Sequence, residues 1–99
     1  MRMIGLAKKA GAMVANTEGV RALLRAKRAC LVLMANDCSQ NTVKRIVNSC
    51  SFYSVQLIRT DISMEELGNT VGTFKCSAVA ISDKGFANAI KEKGANIWQ

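Results

Sequence analysis

The chain contains no histidine and no proline, and its four cysteines form no C-x-x-C pair. Without histidine there is no imidazole to act as general acid or base, or to activate a serine or cysteine nucleophile. A zinc site lacks both its usual ligand and its usual spacing, so no metal is expected. The acids are scattered, and the adjacent Glu65 and Glu66 diverge on a helix. Neither G-x-G-x-x-G nor a P-loop occurs, so no nucleotide cofactor is expected. These absences together argue against an enzyme. No apolar run approaches the ~20 residues of a membrane span. The opening "MRMIGLAKKAG" meets Lys8 and Lys9 too soon for a signal peptide. A cytoplasmic protein with no membrane partner is the expectation. Cys30, Cys38, Cys50 and Cys76 then read as reduced, structural residues.

What is present suits one small domain. Ninety-nine residues with 49% apolar content bury an adequate core, so residues 1–99 are taken as a single unit. The formal charge is +7, and it is unevenly spread. Residues 1–50 carry nine Lys/Arg against two acids, whereas residues 51–99 carry five of each sign. A surplus confined to one half favours a polyanionic partner, with a merely soluble basic protein as the plain alternative.

Apolar spacing switches between helical and strand periods along the chain. Residues 2–10 read as a helix stopped by Gly11, and "AMVA" as a short strand. In "NTEG", Asn16 or Thr17 offers an N-cap and Glu18 an anion for the first turn. The helix over about 17–27 buries Val20, Leu23 and Leu24, while Arg21, Arg25 and Arg28 form one stripe. "CLVLMA" is a continuous apolar run, as in a strand covered on both faces. Asp37 and Ser39 are capping candidates for a helix over about 40–50 that buries Val43, Ile46 and Val47. "VQLIR" is a strand, and "SMEEL" carries a capping-box spacing for a helix ending near Gly68. "GTFKC" is a loop, "SAVAIS" a strand, and "DKGFANAIKEKG" a last helix. The glycines read as breakers and turn residues. Alternating elements of this kind make a three-layer α/β/α sandwich around a small mixed sheet of about four strands.

Binding has more to stand on than catalysis. The loop before the second helix, the helix start and the cations Arg21, Arg25, Lys27 and Arg28 equip one side for phosphates. A solvated helix face is the alternative. In "GTFKCS", Phe74 beside Lys75 is suited to stacking on an unpaired base, or Phe74 packs against the sheet.

"LAKKAGAMVANTEGVRALLRAKRACLVLMANDCSQNTVKR", "LGNTVG" and "AVAISDKGFANAI" together resemble the ribosomal-protein L7Ae/L30e superfamily, and within it the small bacterial YlxQ-like branch. The likeness covers nearly all 99 residues. It implies the same sandwich and recognition of kink-turn RNA, a sharply bent internal loop with sheared G·A pairs. The implied contacts are the start of the second helix with its preceding loop, and the loop before the last strand. Here these are Asn16, Thr17, Glu18, Gly19, Arg21, Arg25, Lys27 and Arg28, with Gly72, Thr73, Phe74, Lys75 and Cys76. Kink-turn readers carry Gly, one residue, Asn-Glu, two residues and Lys. Registered on "ACLVLMA" without a gap, those positions hold Asn16, Glu18, Gly19 and Ala22. The expected function is therefore a monomeric, non-enzymatic RNA-binding protein, ribosome-associated, gripping a bent RNA. A protein-interaction module that kept the fold and lost kink-turn recognition is the alternative.

Overall fold

The computed structural model describes residues 11 and 13–93. The expected helix over 2–10 and the glycine stop at Gly94 lie outside the described residues. The described elements run β1 (Met13–Val14), α1 (Thr17–Arg25), β2 (Leu31–Met34), α2 (Gln40–Phe52), β3 (Leu57–Arg59), α3 (Met64–Val71), β4 (Ala78–Ile81) and α4 (Lys84–Lys93). The strands form one sheet in the order β1-β4-β2-β3. β2 and β3 are parallel, while β4 runs antiparallel to both β1 and β2. No described helix is long and apolar enough to cross a membrane.

The two central strands are apolar throughout because both their faces are covered. Leu31, Leu33, Val79 and Ile81 point into one core with Leu67 and Val71 of α3 and Ala87 and Ile90 of α4. Val32, Met34, Ala78 and Ala80 point to the opposite core with Val20 and Leu24 of α1 and Ile46 and Cys50 of α2. The strand period of two sorts side chains between the cores, and the helical period supplies the covering stripes. The three-layer sandwich around a four-stranded mixed sheet is as expected.

Helix starts follow capping chemistry. Ser39 Oγ accepts from Thr42 N at 3.3 Å, and Ser63 Oγ accepts from Glu66 N at 3.1 Å. Asp37 does not cap α2; its Oδ1 accepts the Met64 N–H of α3 at 2.8 Å, tying two connections together. Three expectations need correction. α3 continues through Gly68 and ends at Gly72, whose φ of +84° is the left-handed cap. Val47 is exposed, because it follows Ile46 and is rotated off the stripe that Ile46 and Cys50 bury. Helix α1 stops at Arg25, so Arg28 lies beyond it and outside the stripe of Arg21 and Arg25.

All four cysteines are free. Burial pushes the Cys50 thiol up to about 11, and burial likewise raises Cys38. Both therefore stay protonated at neutral pH, as small hydrophobes do.

Candidate nucleic-acid interface

Sheet topology brings the two expected contact regions together. β1 pairs with β4 through Met13–Ile81 and Val14–Ala80. Residues that leave β1 therefore emerge beside those that enter β4. Between them lies a cleft of about 580 Å³, lined from one side by residues including Asn16 and Thr17 and from the other by Thr73, Lys75, Cys76 and Ser77.

Each wall is held by specific bonds. Asn16 is the N-cap of α1: its Oδ1 accepts from Gly19 N at 2.6 Å and its carbonyl from Val20 N at 2.8 Å. Its own backbone is extended, with φ −131°, so no glycine is required there. Capping consumes the oxygen and leaves the exposed amide NH₂ as the donor the side chain can offer. Gly19 is tightly seated. A Cβ added to it would overlap the Val14 Cγ1 methyl and lie 3.1 Å from Asn16 Oδ1. Glu18 is exposed in the first turn, where it complements the helix dipole and repels phosphate.

The second wall rests on α3. Thr73 N donates to Gly68 O at 2.8 Å and Cys76 N to Met64 O at 3.0 Å. Thr73 Oγ1 donates to Lys75 O at 3.1 Å, closing the loop on itself. Cys76 Sγ lies 2.8 Å from Ala15 O, a link between the two walls. Phe74 does not tuck against the sheet. It is 82% exposed, with Lys75 Nζ 5.7 Å from its ring centroid. An exposed ring beside an exposed cation can meet both a base face and its phosphate.

The structure divides the expected site. Asn16, Thr17, Thr73 and Lys75 share the cleft, with exposed Phe74 and Gly72 on the same loop. Cys76 faces inward at 2% exposure; its thiol reaches backbone oxygens, so it joins the walls and does not present itself to a ligand. Arg21 and Arg25 line a different cleft further along α1, and Lys27 and Arg28 another beyond it.

One residue that positions the site was misread from sequence. Gly68 is buried inside α3, and a Cβ there would stand 2.9 Å from Lys75 Cα, Lys75 N and the Phe74 carbonyl carbon. Its lack of a side chain is what lets the Phe74–Lys75 backbone lie on the helix. The available signal was "LGNTVG", in which two glycines four residues apart flank helix-compatible residues. Gly68→Ala should lower Tm by about 4–8 °C, the net of an overpacking cost of roughly 2 kcal/mol, mid-range for a clash with backbone, and an opposing gain. Alanine's better helix propensity, about 1 kcal/mol, acts in the opposite direction. An unchanged or raised Tm by thermal unfolding would show that the loop does not rest on Gly68.

A mixed sheet between two helical layers, two apposed loops at one end and a basic helix leading away from them define a small α/β/α binding domain. The chain belongs to the Ribosomal protein L7Ae/L30e/S12e/Gadd45 family, whose model matches residues 1–91. It is 35% identical over 88 residues to the RNA-binding protein YlxQ of Bacillus subtilis (strain 168), covering 89% of this chain and 87% of that one. The RNA-binding protein YlxQ of Enterococcus faecium is 35% identical over 92 residues, covering 93% and 87%. Among solved structures, a protein of unknown function from Bacillus halodurans C superposes with a TM-score of 0.83 at 21% identity, covering 91% of this chain and 90% of that one. The Giardia lamblia 15.5kD RNA binding protein gives 0.76 at 16% identity, covering 91% and 77%. At these identities the solved structures speak to the fold.

Proposed function

We propose that this protein binds structured RNA without catalysing a reaction, acting in the cytoplasm as a monomer on a bent, kink-turn-like element of ribosomal or other RNA. The observation that carries the reading is the meeting of two loops in one cleft. One wall offers the Asn16 amide and a helix N-terminus, and the other offers Phe74 and Lys75. Backbone and amide donors suit phosphates and base edges, and an exposed ring suits an unpaired base. The names of the YlxQ relatives support the same class of ligand.

The test is a titration of a kink-turn RNA hairpin, preceded by the ratio of absorbance at 260 to 280 nm before and after a high-salt wash. Purified protein should carry nucleic acid that salt removes. Phe74→Ala should weaken hairpin binding roughly 5- to 150-fold, the range of one lost base–aromatic stack. Protein that carries no RNA and does not bind the hairpin would move the adaptor reading ahead. That second reading has its own support in Glu18, Gly19 and Ala22, which replace the amide, carboxylate and amine of a kink-turn reader.

A further inference from the structure

Away from the cleft, the far ends of α1 and α2 finish on the same device. At α1, Lys27 N donates to Leu24 O at 2.9 Å and Arg28 N to Leu23 O at 3.0 Å. At α2, Ser54 N donates to Ser51 O at 3.2 Å and Val55 N to Cys50 O at 2.9 Å. Each pair of bonds is a Schellman cap, whose left-handed residue is ordinarily glycine. Here those residues are Lys27 and Ser54, with φ of 59° and 58°. A side chain held in that region carries strain, and such strain collects at functional sites.

Both strained residues line one cleft of about 430 Å³, together with Phe52 and Tyr53. Phe52 is 79% exposed, and its ring meets Tyr53 edge-to-face, with centroids 4.9 Å apart at 82°. Tyr53 is packed against the α1/α2 core and so fixes the exposed ring from behind. A neighbouring cleft of about 340 Å³ shares both aromatics and brings in Arg21 and Arg25. Among the described residues, no acidic one lines either cleft. An oriented ring with cations on two sides complements a polyanion that also has flat apolar faces.

We propose that Phe52 is a second RNA contact: a stacking platform for an unpaired base in a single-stranded segment, with flanking phosphates on Arg21 and Arg25 to one side and Lys27 to the other. This rests on the RNA-binding reading and extends its footprint. The nine residues of α1 put its far end about 13 Å from its Asn16 end, and Phe52 shares a cleft with Lys27 at that far end. An RNA seated in the first cleft reaches Phe52 when it continues along α1 as an unpaired strand.

The experiment compares a blunt kink-turn hairpin with the same hairpin carrying a short single-stranded uridine tail, titrated against the full chain. The tail should strengthen wild-type binding. Phe52→Ala and Phe52→Leu should remove that gain, roughly 5- to 150-fold, and Phe52→Trp should keep it. None of the three should alter blunt-hairpin binding, and Phe52→Ala and Phe52→Leu should lower Tm only by the few degrees that the lost edge-to-face contact with Tyr53 is worth, leaving the protein folded. No gain from the tail in wild type, equal losses on both probes, or wild-type tail binding in Phe52→Leu would each overturn the platform. The last of these would mark an apolar protein-docking patch, for which leucine suffices. Wild-type protein that binds neither probe would overturn the RNA-binding reading itself, an outcome distinct from a platform failure with blunt binding intact.

Discussion

Reversing Arg21, Arg25 and Arg28 to glutamate together should lower RNA affinity by orders of magnitude while the protein stays folded. All three side chains are exposed. None fills either core, so the expected loss is electrostatic and not structural. Arg25 sits in the last turn of α1, where a cation complements the helix dipole, so its reversal should also cost about 0.3–1 kcal/mol of stability. That is small beside the effect on binding. If each arginine neutralises one phosphate, log K against log salt should slope by about −2 to −3 for wild type. The slope should become shallower in the triple variant by about the same amount, leaving what cations such as Lys27 and Lys75 contribute. A flat wild-type salt dependence would remove the phosphate-clamp idea, whatever the variants did. A folded triple variant with wild-type affinity would move the phosphate contacts to other parts of the surface.

The division of that stripe shows what a sequence withholds. Spacing at i, i+4 and i+7 puts three arginines on one helix face only if the helix lasts that long. It ends at Arg25, on a cap whose left-handed residue is a lysine. No glycine advertises the stop, so local propensity points through it. Gly68 is the opposite case, a glycine that reads as a breaker yet sits inside α3, because its function is to leave space for the loop that follows the helix. Both readings failed because residue type did not announce the conformation: a lysine takes the left-handed cap position, and a glycine stays helical to clear the backbone six and seven residues on.

The elements themselves were legible because their signals are local. A continuous apolar run at residues 31–34 needs cover on both faces, and it has it. Asn16, Ser39 and Ser63 announce their helices by capping chemistry that acts within three residues. Phe74 was open between stacking and packing, since its exposure depends on how the loop settles on α3. Cys76 was placed in the right loop, but the direction of its side chain follows from β1–β4 pairing, which spacing alone does not report.

Kink-turn discrimination should be weak in this chain and recoverable by two surface substitutions. Base-edge contacts separate one RNA from another, whereas phosphate contacts do not. The family pattern implies an amide at position 18, a carboxylate at 19 and an amine at 22; this chain has Glu18, Gly19 and Ala22. Glu18 accepts hydrogen bonds but cannot donate one, and Gly19 already gives its N–H to Asn16. Glu18 and Ala22 are exposed, so asparagine and lysine are accommodated there. Each restored contact should contribute on the order of 1–3 kcal/mol of discrimination, by analogy with direct readout in DNA. Glu18→Asn with Ala22→Lys should therefore raise the preference for a kink-turn over a duplex of equal length at least tenfold. Adding Gly19→Glu should give no further gain and should lower Tm, because its Cβ overlaps Val14 Cγ1. Trimming the obstacle with Val14→Ala should recover part of that Tm loss. The measurement is a pair of titrations per variant at one salt concentration, with thermal unfolding alongside. Strong discrimination by the wild type would show that the Asn16 amide and Lys75 read the bases from the cleft without the usual set. A double variant that gains nothing would mean that the supporting geometry has diverged as well, and the interaction-module reading would then lead.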